Sequence, residues 1–132
     1  MMTDDDRLRE PPRDRLSGTT QHVDLAQVAA TLRAEPHDGT AGHRQIVVVR
    51  SGAMTVILFV FEEGGHLPDH RAPGDIVIHA LAGRLEVTLE HDSVELARGQ
   101  FLSLAPNQLH SVRALERAEM LLTICKVVAP AV

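Results

Sequence analysis

Two hydrophobic rhythms divide the chain. Apolar residues recur at Leu25, Val28, Ala29 and Leu32, the i, i+3, i+4, i+7 spacing of a single helical face. Asp24 stands where an N-cap belongs and Glu35-Pro36 closes the pattern, so one short amphipathic helix is predicted over about 24–34. Its stripe must cover the side or mouth of whatever follows. From Arg44 onward the rhythm changes to short runs rich in Val, Ile, Leu and Thr: QIVVVR, MTVILFVF, IVIHAL, RLEVTLE, SVELA, FLSLA, LHSVRAL and EMLLTICKVV. Gly, Pro, Asn or Asp separate most of them, as at Ser51-Gly52, Gly64-Gly65, Pro73-Gly74, Gly83, His91-Asp92, Gly99 and Pro106-Asn107. Eight such runs predict an all-β sandwich or barrel. Leu85, Val87 and Leu89 alternate with Arg84, Glu86, Thr88 and Glu90, the period of a strand with one wet face, and the hairpin over 84–97 is the clearest local element.

Residues 1–21 carry Asp, Arg, Pro, Ser, Gly and Thr with few large apolar groups to offset their ordering entropy, and read as a disordered tail. The expected organisation is that tail, a helix and linker over 22–43, and a β domain over 44–129. A length of 132 residues suits one domain of this kind. Net charge is −5, with three Phe, no Tyr and no Trp, so the basic surface and stacking rings that nucleic acid demands are missing. The longest apolar stretch, 53–61, is about half of what a spanning helix needs, and the charged start does not resemble a secretory signal. A cytoplasmic protein without membrane or nucleic-acid partners is expected. The single cysteine, Cys125, cannot form an internal disulfide and reads as a small buried hydrophobe.

Phosphate-cradling glycine loops, a nucleophile elbow, CxxC and HExxH are absent from the sequence. Eight histidines are present, and His66, His70, His79 and His110 fall within or beside apolar β runs, where an imidazole needs a partner. Taken singly, each is satisfied by a carbonyl or by solvent; converging, they would make a metal site. His22, His37, His43 and His91 sit in tail, loop or turn contexts and read as solvated.

The segment Gly65-His66-Leu67-Pro68-Asp69-His70-Arg71-Ala72-Pro73, followed by Ala80-Leu81-Ala82-Gly83-Arg84-Leu85-Glu86-Val87, resembles the first conserved motif of cupins. The segment 99–112, Gly99-Gln100-Phe101-Leu102-Ser103-Leu104-Ala105-Pro106-Asn107-Gln108-Leu109-His110-Ser111-Val112, is similar to their second. The likeness spans about 44–127 and implies a single-domain double-stranded β-helix, a jelly-roll barrel with an internal ligand cavity and one short N-terminal helix. Gly83 and Gly99 would supply tight turns, and Asn107 takes the second motif's glycine position as the side chain that best tolerates a left-handed backbone.

The resemblance also implies a divalent metal. His70 matches the second histidine of the first motif's pair, and His110 matches the histidine of the second motif. Pro68 occupies the position of the missing first histidine. His66 lies in phase with His70 on an ideal strand but ~13 Å away, so it would join only through a bend or bulge. Ile76 stands where the family carries a glutamate, Asp75 is out of register by one, and a bulge could instead turn His79 inward. A set drawn from His70, His110, His66 and His79 would suit Zn²⁺, Fe²⁺, Mn²⁺ or Ni²⁺.

Two functions follow from the resemblance: a metal-dependent dioxygenase or isomerase acting on a small organic substrate, or a metal-free barrel that binds a small ligand without turnover. Phe59, Phe61, Ile76, Ile78, Phe101 and Leu104 are expected in the core or pocket, as are Met54 and Met120. Arg84, Arg98 and Arg113 are expected to face outward, and Glu62-Glu63 to edge a loop. The long runs MTVILFVF and EMLLTICKVV, taken as exposed edges, predict a homodimer.

Overall fold

The computed structural model describes residues 19–36 and 42–126. Most of the expected tail, His37 and the end of the β domain after Lys126 lie outside the described residues. Helix α1 (Leu25–Ala34) precedes β1 (His43–Arg50), β2 (Met54–Phe61), β3 (His66–His70), β4 (Asp75–Ala82), β5 (Arg84–Leu89), β6 (Ser93–Ala97), β7 (Phe101–Leu104), β8 (His110–Ala114) and β9 (Ala118–Cys125). They form two antiparallel sheets, β1-β2-β9-β4-β7 and β3-β8-β5-β6, the two layers of a jelly-roll barrel. No described helix is long and apolar enough to cross a membrane.

The unbroken apolar run of β2 is explained by burial on both faces. Phe59 and Phe61 face the space between the sheets with Ile76, Ile78, Leu85, Val87 and Met120, while Leu58 and Val60 face outward into a second core with Ala29, Leu32 and Val48. The helix is thus a third layer, docked through the stripe read from the sequence. Asp24 Oδ1 accepts the Gln27 amide at 3.1 Å, capping the first turn. At the other end Arg44 Nη1 donates to the carbonyls of Leu32 and Arg33 at 2.9 and 2.6 Å, so a side chain from β1 satisfies orphan acceptors of α1 and fixes it to the sheet.

Several expectations change. The segment His66–His70 is a ninth strand, absent from the eight apolar runs because its edge position demands little hydrophobicity. β2 and β9 lie inside the five-stranded sheet, whose edges are β1 and β7, so the apolar edges from which a homodimer was expected do not exist. Cys125 is exposed rather than buried, and so are Met54, at 36%, and Phe101, at 65%. The cause is shared: Met54 and Phe101 fall on the outward phase of their strands, and Cys125 is the register partner of both Met54 and Asp75 on that face. Met120, by contrast, is fully buried between the sheets.

Candidate functional site

His110 opens β8 and is the one polar or charged residue that is buried among the described residues. Its neighbours on the same face, Val112 and Ala114, are buried as well, so the imidazole is aimed between the sheets. His110 Nδ1 lies 2.9 Å from the carbonyl oxygen of Gln108. A carbonyl only accepts, so Nδ1 carries the proton and donates it, which leaves the Nε2 lone pair free. The turn before β8 is anchored too. Asn107 takes φ 66°, its N–H donates to Ala72 O at 2.8 Å, and Arg71 Nη1 donates to Asn107 O at 2.8 Å. The loop preceding His110 is thereby tied to the segment following His70.

His70 is exposed at the end of β3, directly opposite His110 in the register. Their ring centroids are 6.0 Å apart and the planes meet at 80°, an edge-on pair. A register shift makes this possible. Leu67 faces Val112 and His70 faces His110, so an advance of three residues on β3 matches two on β8. The extra residue moves His70 onto the inward face shared by Leu67, Val112 and His110. The same shift separates the two histidines of β3: His66 is exposed opposite Arg113, on the outward row where Arg113 approaches Glu86 at 3.9 Å. A bulge is present, but it parts His66 from His70 rather than joining them.

His79 is not brought to the pair. Ile76, Ile78 and Ala80 take the inward positions of β4, which leaves His79 facing outward, edge-on to Phe101 with centroids 6.5 Å apart. Ile76 is 2% exposed, between Leu104 and Ile124 in the register, and Asp75 is exposed on the other phase of the strand. Among the described residues no group of three or more His, Cys, Asp or Glu could hold one ion. The donor set at the pair is therefore two imidazoles, with a proline and an isoleucine where the family places its other ligands. Catalytic metal sites keep about three protein ligands, so these residues do not fit a resident catalytic metal.

His43 escaped the sequence reading, which placed it in a loop. It begins β1 opposite Phe61, with ring centroids 5.9 Å from Phe59 and 5.8 Å from Phe61, and its buried Nδ1 has no hydrogen-bond partner. Nothing in the local sequence, His43-Arg44-Gln45, marks this position as aromatic-packed.

Comparison with known proteins accords with the geometry. The family model of the cupin domain matches residues 57–125, more than half of the chain. The chain belongs to the cupin family. Its fold is similar to that of a conserved protein of unknown function from Streptococcus pyogenes, with TM-score 0.68 and 22% identity, covering 86% of this chain and 93% of that one. A cupin superfamily protein from Desulfitobacterium hafniense gives TM-score 0.68 at 19% identity, covering 86% and 99%. An RmlC-like cupin from Desulfovibrio desulfuricans gives 0.59 at 27% identity, covering 63% and 81%. No curated protein sequence matches.

Proposed function

We propose that this chain is a small-molecule-binding cupin barrel that works without a resident catalytic metal and anchors its ligand on His110 and His70. The reading rests on one observation: a buried imidazole whose Nδ1 is committed to Gln108 O and whose Nε2 is free, beside a second histidine and with no third metal donor among the described residues. Nε2 is not a buried orphan, since among the described residues His43 Nδ1 alone is one, so it is open to an incoming group and a ligand hydroxyl or N–H can donate to it. Val112 and Ala114, the buried neighbours of His110 on its face of β8, favour an apolar group beside that donor. A dioxygenase or isomerase of the kind the resemblance implies needs further ligands that Pro68 and Ile76 cannot supply.

Long-range ¹H–¹⁵N spectra of the histidine rings test this reading. In a screen of small alcohols, enols and N–H heterocycles, binders are expected to shift His110 Nε2, to weaken in His70→Ala and to be lost in His110→Ala. Binders that leave the His110 ring unmoved and bind His70→Ala as well as wild type would refute it.

A further inference from the structure

The free Nε2 of His110 depends on where the Gln108 carbonyl points, and the strand ladder does not fix that carbonyl. Pairing of β8 begins at His110 itself, opposite His70 on one side and Leu89 on the other. Gln108 and Leu109 precede the strand. Among the described residues, the His110 ring is the one group that hydrogen-bonds Gln108 O.

Support for the carbonyl comes from the segment just after β3. Pro106 followed by Asn107 at φ 66° is the residue pattern of a type II turn. Asn107 N–H donates to Ala72 O at 2.8 Å, which pins the peptide plane between Pro106 and Asn107. Arg71 Nη1 donates to Asn107 O at 2.8 Å, which pins the next plane, between Asn107 and Gln108. The third plane carries Gln108 O. Ala72 is 5% exposed within the inner core, so its half of the support is built into the packing. Arg71 is exposed and, among the described residues, bonds to Asn107 O alone, so its half rests on one side chain.

We propose that Arg71 is a positioning residue for His110, holding the ring in the tautomer that has its proton on Nδ1 and its lone pair on Nε2. The proposal rests on the ligand role given to His110 above and extends it to a side chain outside the pair. The proton of a neutral imidazole follows the hydrogen bonds of its two nitrogens. Once Asn107 O is released, the plane between Asn107 and Gln108 turns, Gln108 O moves off Nδ1, and the proton redistributes towards Nε2. A ring protonated at Nε2 donates there and no longer accepts, so a ligand hydroxyl or N–H loses its partner. His70 and His110 are thus joined twice: they face each other in the ladder, and the residue after His70 grips the turn before His110.

Long-range ¹H–¹⁵N spectra of the ligand-free full chain, taken at alkaline pH where imidazoles are neutral, read the tautomer of His110 directly. Wild type is expected to carry the proton on Nδ1. Arg71→Ala should move the tautomer ratio towards Nε2–H by about threefold or more, as expected for loss of one ordinary hydrogen bond. Arg113→Ala removes another exposed arginine, three residues beyond His110 on β8, and should leave the ratio at its wild-type value. Both variants should keep the wild-type circular dichroism, since both side chains are exposed. An unchanged ratio in Arg71→Ala, or an equal change in Arg113→Ala, would overturn the proposal. No ligand enters the measurement, so an unmoved ring refutes the positioning role alone, whereas a screen without binders refutes the ligand role of the pair.

Discussion

Replacing Gly83 with alanine probes the tight junction between the β4–β5 turn and the start of β9. Gly83 has φ 73°, and a Cβ there would lie 2.2 Å from the Arg117 carbonyl oxygen and 2.8 Å from Ala118 Cα. Holding an alanine in the left-handed region costs about 1–2 kcal/mol. Forcing it against backbone that cannot swing away adds about 1–3 kcal/mol. Gly99 is a built-in control, because its φ of 85° carries the same conformational cost while a Cβ there meets nothing within 4 Å. Gly99→Ala should therefore lose about 1–2 kcal/mol and Gly83→Ala about 2–5 kcal/mol, a large share of the total stability of a domain this size. Urea unfolding followed by far-ultraviolet circular dichroism measures both, since the chain has no Trp or Tyr. Equal losses in the two variants, with unchanged m-values, would refute the steric argument and with it the described approach of Arg117-Ala118 to the turn.

Two further outcomes follow from burial. Leu32→Ala removes a residue 2% exposed beneath the helix and should cost about 2–5 kcal/mol in the same urea assay, whereas a loss below about 1 kcal/mol would mean that α1 is not an integral layer. Cys125, exposed at the end of β9, should react with a thiol-specific chromogenic reagent in the native protein; reaction only after denaturant is added would place it in the core after all.

Fold and site were legible to different depths, for physical reasons. The jelly roll could be read because most strands announce themselves by β-branched runs and glycine punctuation, and because the helix stripe, its cap and the hairpin at 84–97 follow simple periods. β3 could not, since His66-Leu67-Pro68-Asp69-His70 lies at a sheet edge and carries a register shift that destroys alternation. That shift also decided which histidines meet. Counting by twos put His66 and His70 in phase, and one extra residue put them on opposite faces. Runs buried on both faces hid the phase elsewhere: IVIHAL reads the same whichever face His79 takes, and only the packing of Ile76, Ile78 and Ala80 fixes it outward. Met54, Cys125 and Phe101, on the outer face of the five-stranded sheet, were misjudged for the same reason, because an apolar residue on a sheet face reads as core until something is seen to cover it, or not.

The central claim, a cupin barrel whose two converging histidines serve a ligand rather than a resident metal, is tested most directly by metal content. Mass-spectrometric analysis of untagged protein, prepared without chelator and quantified by amino-acid analysis, should find Zn, Fe, Mn and Ni far below one equivalent per chain, with no difference between wild type and His70→Ala or His110→Ala. Near-stoichiometric metal that both substitutions abolish would contradict the account and restore the metal-dependent enzyme reading.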